Sequence, residues 1–305
     1  MNGANCPDPE YLQPEYQQTV NSYDDDAPVN EYGGLTKKYH LFREVVKKYA
    51  PVPELPGFRD VRRAYGKVQF TECADLLDTA GLLTEPVKMT LPLPMEKLNQ
   101  GYGFILYRTH IHGPREGLPL VLSGLHDRAH VFVNGDLHGI QYRNDKQPLP
   151  RIPVPAEGAD LAVLVENMGR VNYGQNLIDR KGIDGSIRLG QSFVYHWEAL
   201  TLPLDNLDKV EFGPMKEFNG RPQLLKGKFT IEGEPKDTFV RMDGFKKGVI
   251  FVNGINLSRY WEVGPQKTAY LPAPFLKEGE NELIVLELDG RTSDCAILTD
   301  TPDLG

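Results

Sequence analysis

Hydrophobic and polar residues follow one pattern up to about residue 57 and a different pattern afterwards. The first 57 residues contain a short β-prone run at 19–23, followed by a polar, turn-rich loop. Apolar residues then recur at three- and four-residue steps, which predicts an amphipathic helix over residues 37–49. Thr36 is its predicted N-cap, and Pro51 ends it. This part of the chain therefore predicts one strand followed by one helix.

From residue 58 onward, short alternating segments replace the helical spacing, and Gly, Pro and Asn-Gly signals separate them. Two β-prone runs lead directly into Asn-Gly, the dipeptide that favours a two-residue type I′ hairpin turn. Each is followed, some tens of residues later, by an apolar strand. The two copies are residues 131–133, Asn134-Gly135 and 161–166, and residues 249–252, Asn253-Gly254 and 282–287. The chain thus contains one β-unit twice, which predicts a mainly β protein with two jelly-roll sandwiches.

Three segments follow from these patterns. They are a strand and helix at 1–57, a first sandwich at 58–210 and a second sandwich at 211–305. The break between the sandwiches is placed near residues 207–212. Strands within residues 68–91 could belong to either sandwich, because periodicity does not identify strand partners across such distances.

A series of short motifs runs in a fixed order along almost the whole chain. They include Asn-Gly-Ala-Asn at 2–5, Ser-Tyr-Asp-Asp-Asp-Ala-Pro at 22–28, Tyr-Gly-Phe-Ile-Leu-Tyr-Arg-Thr at 102–109, Asp-Arg-Ala-His-Val-Phe-Val-Asn-Gly at 127–135, Val-Glu-Asn-Met-Gly-Arg-Val-Asn-Tyr-Gly at 165–174, Lys-Gly-Ile at 181–183, Arg-Tyr-Trp at 259–261 and Gly-Glu-Asn-Glu at 279–282. Together they resemble the C-terminal portion of a bacterial family-35 glycoside hydrolase, a β-galactosidase. The resemblance implies galactose-binding-like sandwiches, preceded by the last βα unit of a (β/α)8 TIM barrel.

The same resemblance implies that this chain alone is not catalytic. A retaining glycosidase needs two carboxyl groups about 5–5.5 Å apart, one as acid/base and one as nucleophile. In family 35 both are glutamates on barrel strands four and six, which would lie upstream of Met1. Asn30-Glu31-Tyr32-Gly33 copies the string around the family's acid/base glutamate, but it follows the motif at 22–28. Glu31 is therefore interpreted as a loop residue, and no catalytic residue is predicted in this chain.

One substrate-binding residue is carried over from the family. Tyr23 matches the first tyrosine of Ser-Tyr-Asp-Tyr-Asp-Ala-Pro, which lies in the galactose pocket of the family. Asp25 stands where the family has the second tyrosine. This difference removes an aromatic wall and adds a carboxylate near a site already rich in negative charge.

Composition and charge narrow the classes of partner. The chain carries a net charge of -8, which argues against nucleic acid as a partner. No segment reaches the ~20 apolar residues that span a bilayer, so no membrane partner is predicted. Cys6, Cys73 and Cys295 are widely separated, which favours free thiols in a reducing, cytoplasmic compartment for this chain. His110 and His112 share one strand face without a third ligand type, so neither a metal site nor a cofactor is predicted.

Exposed aromatic rings could stack on sugars, although aromatic side chains more often bury their area in cores. The candidates are Tyr173, Tyr195, Trp197, Tyr260 and Trp261. Two functions therefore stay open. The chain is either the C-terminal part of an enzyme that hydrolyses terminal β-galactosides or a separate, non-catalytic carbohydrate-binding or structural module. Without the barrel the apolar stripe of the helix at 37–49 is exposed, so residues 1–57 are expected to be poorly held, to fold onto the first sandwich or to self-associate.

Overall fold

The computed structural model describes residues 27–54, 61–170, 177–264 and 266–305. Within these ranges the helices are α1 (Lys37–Val46) and α2 (Leu76–Leu83), with 3-10 turns at Met95–Leu98, Leu207–Lys209 and Ala273–Phe275. The strands are β1 (Gly66–Asp75), β2 (Val87–Met89), β3 (Phe104–Ile111), β4 (Arg115–His126), β5 (Arg128–Val133), β6 (Asp136–Tyr142), β7 (Arg151–Val154), β8 (Ala159–Glu166), β9 (Gly182–Leu189), β10 (Ser192–Phe193), β11 (Trp197–Leu202), β12 (Gly213–Pro214), β13 (Gln223–Ile231), β14 (Thr238–Arg241), β15 (Lys247–Val252), β16 (Ile255–Trp261), β17 (Thr268–Leu271), β18 (Gly279–Glu287) and β19 (Cys295–Thr299). The predicted strand at 19–23 lies outside the described residues.

The first sandwich consists of a six-stranded sheet and a four-stranded sheet. Their strand orders are β2-β11-β3-β8-β5-β6 and β10-β9-β4-β7. Alternate residues point into the space between the sheets, so Ile105 and Tyr107 of β3 meet Val163 and Val165 of β8 in one apolar core. Trp197 is fully buried there and donates its indole N–H to the carbonyl of Val194 at 2.8 Å.

The second sandwich is one continuous sheet bent over its own core. Its strand order is β16-β15-β18-β13-β1-β19-β14-β17, with the short β12 beside β1. Strand β1 joins the two layers, because residues 66–69 pair with β19 and residues 70–75 pair with β13, with a bulge between Phe70 and Glu72. Val68 and Phe70 on this strand lie in the core together with Val285 and Leu298.

The predicted duplication is confirmed by both hairpins. Asn134-Gly135 joins β5 to β6 and Asn253-Gly254 joins β15 to β16, and all four residues have positive φ, as a type I′ turn requires. The turn asparagine is used in the same way each time. The Oδ1 atom of Asn134 accepts from the backbone N–H of Asp160 at 2.8 Å, and that of Asn253 accepts from Glu282 at 3.0 Å. Strands β8 and β18 are therefore tied to their hairpins through equivalent contacts.

The two sandwiches pack face to face through equivalent positions of the repeat. Phe132 and Phe251 each lie two residues before the turn asparagine, and both belong to the apolar cluster between the sandwiches. Leu164 and Leu286 on the neighbouring strands belong to the same cluster. Since burying a large apolar side chain contributes roughly 1.5–3 kcal/mol, this contact joins the sandwiches into one packed body.

Helix α2 corrects the sequence prediction, which places no helix after residue 57. Its apolar residues leave little polar face, so no amphipathic period is visible, and Leu76, Leu77, Ala80 and Leu83 are buried. The signal that could have identified it is Asp75, whose side chain accepts from the backbone N–H groups of Leu77 and Asp78 as an N-cap.

The pairing of strand β1 shows that the predicted N-terminal boundary of the first sandwich is wrong. The segment 58–210 was assigned to that sandwich, but residues 66–75 pair with β13 and β19 of the second one. Strand β2, by contrast, pairs with β11 in the first sandwich. The stretch 68–91, which the sequence left open, is thus divided between the two.

Helix α1 forms where the sequence predicts it but ends three residues earlier, at Val46. Thr36 occupies the N-cap position without making a side-chain cap bond. Its hydroxyl donates instead to the carbonyls of Ala27 and Pro28 at 2.9 and 3.0 Å. In the described part of the chain, no helix has the length and apolar character needed to cross a membrane.

Candidate functional site

Charged side chains are buried where the two sandwiches meet. Lys247 of the second sandwich donates its ammonium to Glu166 of the first, and both side chains are at most 3% exposed. The guanidinium of Arg128 lies 3.8 Å from the other Glu166 oxygen. Arg128 also binds Asp289 at 2.7 Å, and His130 lies 2.9 Å from the same carboxylate. We call these five residues the interface network.

The two cations of the interface network occupy the same position in the repeat. Arg128 and Lys247 each lie six residues before the turn asparagine, on the strand face that also carries Phe132 or Phe251. Both cations approach Glu166 from opposite sandwiches. One carboxylate therefore links the two copies of the unit.

Mutual contacts set the ionisation of the network. Burial alone would raise the pKa of Glu166, but the charges of Lys247 and Arg128 outweigh it and lower the pKa. Burial would likewise raise the pKa of Asp289, and the hydrogen bond with His130 and the charge of Arg128 hold it well below its usual range. Burial lowers the pKa of His130, which outweighs the opposing hydrogen bond with Asp289. The carboxylates are therefore ionised and His130 is neutral near pH 7.

A second buried cluster explains the motifs at 127–135 and 181–183. The Asp127 carboxylate accepts from the ammonium of Lys181 at 2.9 Å, from Arg143 at 2.9 Å and from the backbone N–H of Met168 at 2.8 Å. Lys181 is fully buried and also binds Asp179 at 2.6 Å. This cluster holds the residues that follow β8 and precede β9 against the start of β5, so its role is to position these segments.

An open cleft of about 890 Å³ lies at one end of the second sandwich. It is formed by the segments that follow β14, β16 and β18 and by the C-terminal residues. Partly exposed Trp261 and Phe218 line it together with Arg241, Arg291 and several carboxylates. A cleft of this size, with aromatic walls and converging polar groups, is typical of small-molecule sites.

Most carboxylates that line the cleft form ion pairs with arginine side chains. Arg241 binds Asp243 at 2.9 Å and Asp303 at 3.2 Å, and Arg291 binds Asp294. A retaining glycosidase needs one carboxyl group that stays protonated as an acid. The carboxylates of Asp243, Asp303 and Asp294 instead accept charge-assisted bonds from arginine. These arginine–carboxylate pairs present charged groups that can bind the polar atoms of a ligand in the cleft.

Among the residues singled out from the sequence, Tyr23 and Tyr173 lie outside the described residues. Glu31 lies in a turn whose neighbour Tyr32 packs edge-on against Phe239 of the second sandwich, with ring centroids 5.8 Å apart. His110 and His112 are exposed, and no group of three or more metal-ligating residues occurs in the described ranges.

The candidate stacking rings divide between the core and the surface. Trp197 and Tyr260 are buried, as the packing interpretation predicted. Tyr195 is half-exposed beside Phe193 on the first sandwich, and Trp261 is partly exposed in the cleft. Sequence reasoning found Trp261 as an aromatic residue. It did not find the buried charges beside it, since their partners are about 80 or more residues away along the chain.

Comparison with known proteins identifies the family. Residues 92–205 match the family model "Beta-galactosidase, first all-beta domain", and residues 222–281 match "Beta-galactosidase, galactose-binding domain". The chain belongs to the β-galactosidase family. It is 37% identical to the β-galactosidase of Bos taurus over 94% of this chain and 47% of that protein. Human β-galactosidase-1-like protein 2 is also 37% identical, over 95% and 47%.

The chain spans about half the length of the curated relatives it matches, which is consistent with a C-terminal portion of a β-galactosidase. Among solved structures, a lectin from Pleurotus ostreatus aligns over 80% of this chain and 81% of its own, with 11% identity and a TM-score of 0.21. That TM-score is too low to support a conclusion about fold or ligand. The mainly β fold and the galactose-binding domain therefore rest on the family models and on the strands themselves.

Removing one partner of the central ion pair is expected to destabilise the protein strongly. Lys247→Met leaves Glu166 buried without its closest cation, and breaking such a pair costs about 3–5 kcal/mol. The double variant Lys247→Met with Glu166→Leu is expected to recover much of this loss. The free energy of unfolding is measured in urea for the wild type, for Lys247→Met and for the double variant.

An exposed pair provides the matched control. Lys228 and Glu280 lie 2.8 Å apart on neighbouring strands of the same sheet but are more than half exposed. Lys228→Met is therefore expected to change stability little. Equal losses in the free energy of unfolding for Lys247→Met and Lys228→Met would show that burial at the interface does not determine how much the ion pair stabilises the protein.

Stability is expected to decrease as the pH falls below about 6.5. Because the pKa of His130 in the folded protein is lowered from 6.5, the unfolded chain takes up this proton first. The free energy of unfolding then falls by up to about 1.4 kcal/mol per pH unit until the folded pKa is reached. Asp289, with a folded pKa below 3.8, adds a loss of the same sign in stronger acid. Urea unfolding at several pH values measures the slope, and His130→Gln is expected to flatten it directly below pH 6.5. An unchanged slope in that variant would contradict the assignment.

Proposed function

We propose that this chain forms the C-terminal, non-catalytic half of a β-galactosidase, which hydrolyses terminal β-linked galactosides by a retaining, two-carboxylate mechanism in the full-length enzyme. Its role is to support the catalytic half and to hold glycan near it. The observation that carries this proposal is the match to two β-galactosidase domains within a chain about half as long as its relatives.

Helix α1 supports the proposal because its apolar stripe lacks a cover within the described residues. Leu41, Phe42, Val45 and Val46 are each about half exposed, and no residue of the helix is buried. Helices of this kind normally bury such a stripe against a neighbouring element. The catalytic half of the enzyme is the proposed neighbour.

The isolated chain is expected to show no hydrolysis of a chromogenic β-galactoside, because both catalytic glutamates would belong to the other half. Activity is measured beside a full-length relative as positive control. The described carboxylate that most resembles a catalytic motif is Glu31, so Glu31→Gln is assayed in parallel. Turnover by the isolated chain that disappears in Glu31→Gln would overturn the proposal.

Self-association through helix α1 is expected when the catalytic half is not present. Sedimentation velocity is expected to show a concentration-dependent shift toward larger species. The double variant Phe42→Glu with Val46→Glu is expected to remain monomeric, because charges on the stripe cannot be buried without cost. Lys38→Glu, on the same helix, is the charge control. A monomeric wild-type chain at all concentrations would contradict this role of the stripe.

Glycan binding is the second activity that we propose for the chain. The galactose-binding domain at 222–281 contributes β14, β16 and β17, which border the open cleft. Titration calorimetry with galactose and lactose is the direct test, and no measurable heat with either sugar would remove this activity.

A further inference from the structure

We propose that the cleft at the end of the second sandwich is the glycan site, and that its ligand is a neutral saccharide stacked on Trp261. This inference rests on the glycan-binding activity proposed above and adds its location and the class of sugar. The cleft holds one aromatic ring in a fixed position, balanced charges around it and one buried donor without a partner among the described residues.

Trp261 is held in place by the interface network. The ammonium of Lys247 lies 4.9 Å from the centre of the indole ring, and Lys247 is itself fixed by Glu166. A cation at this distance is attracted to the ring face and restricts how the ring turns. Trp261 is nevertheless partly exposed in the cleft. An ordered, accessible ring of this kind suits the C–H face of a pyranose, whose partial positive charge complements the π-system.

The indole N–H of Trp261 adds a polar contact. In the described part of the chain it makes no hydrogen bond, whereas the N–H of buried Trp197 donates to a carbonyl. A sugar hydroxyl can accept from this N–H while the sugar ring stacks on the indole. Phe218 provides a second, partly exposed aromatic wall and packs over Gly290.

The charges around the cleft favour a neutral ligand. Arg241 is shared by Asp243 and Asp303, and Arg291 binds Asp294, so these guanidinium groups are largely neutralised. The remaining cleft side chains include exposed Lys246 and Lys267 beside exposed Glu217 and Glu262, so neither sign is in clear excess. Hydroxyl groups both donate and accept and can satisfy such a mixed surface. A uronic acid would instead need a surplus of positive charge.

Arg291 supplies the buried donor. Its side chain is 6% exposed and lines the cleft, and its Nε–H has no hydrogen-bond partner among the described residues. A buried, unpaired N–H of this kind costs free energy, and an acceptor oxygen of a ligand that reached it would offset that cost. The cleft thus combines a stacking platform with at least two donors that are unused within the described residues.

Tryptophan fluorescence tests the site directly, because the chain has two tryptophans and Trp197 is only 1% exposed. Galactose, lactose and galacturonate are titrated, and calorimetry supplies the affinities. We expect the neutral sugars to change the emission of Trp261 and to bind more tightly than galacturonate. Trp261→Ala is expected to weaken binding about tenfold. Trp261→Phe, which keeps a ring but removes the N–H, is expected to show a smaller loss.

The controls separate failure of the site from failure of the function. Tyr195→Ala and Phe193→Ala remove exposed rings from the first sandwich and are expected to leave the affinity unchanged. Thermal unfolding of each variant shows whether the fold is retained. If the wild-type chain binds sugar and both Trp261 variants bind equally well, glycan binding stands and the cleft is the wrong site. Tighter binding of galacturonate than galactose overturns the neutral class, and no binding by the wild type overturns both proposals.

Discussion

The contact between the two repeats determines how the rest of this molecule is arranged. Apolar burial supplies most of the free energy that holds the sandwiches together, since Phe132, Phe251 and the α2 leucines share one cluster. Apolar contact, however, has little directional preference. The buried pair of Glu166 and Lys247 adds direction, because a misplaced sandwich would leave the Lys247 charge without its carboxylate and Glu166 without its closest cation. Such a pair contributes little net stability once desolvation is counted. Its effect is to penalise every other orientation of the two sandwiches.

The same contact determines the geometry of the cleft. Trp261 is positioned by Lys247, while Arg259 donates to the carbonyl of Asn167 in the first sandwich at 2.5 Å. Asp289, which also lines the cleft, is bound by Arg128 and His130 of the first sandwich. The cleft walls therefore belong to the second sandwich, but three of their side chains are oriented by contacts at the interface. A ligand that moved any of these three side chains would also disturb their contacts at the interface with the first sandwich.

Local chemistry made much of the fold predictable, and distant pairing limited the rest. The Asn-Gly turns and the apolar strands that follow them could be read directly, since turn type and alternation are properties of neighbouring residues. Helix α2 and the partners of β1 could not, because the helix has no clear polar face and β1 pairs with strands about 150 or more residues away. The cleft depends on loops from four parts of the chain, so the sequence indicated Trp261 but not its surroundings.

Two carboxyl groups of the described chain that have a raised pKa are used for structure. A catalytic acid needs a raised pKa and access to substrate. Burial raises the pKa of Asp75 and of Glu287. Asp75, however, caps α2 and binds Arg221 at 2.9 Å, while Glu287 accepts from the backbone N–H groups of Asp289 and Gly290 and from the hydroxyl of Tyr260. Both carboxyl groups are occupied by backbone and side-chain donors. In the described chain these two carboxyl groups therefore stabilise the start of α2 and the turn that follows β18.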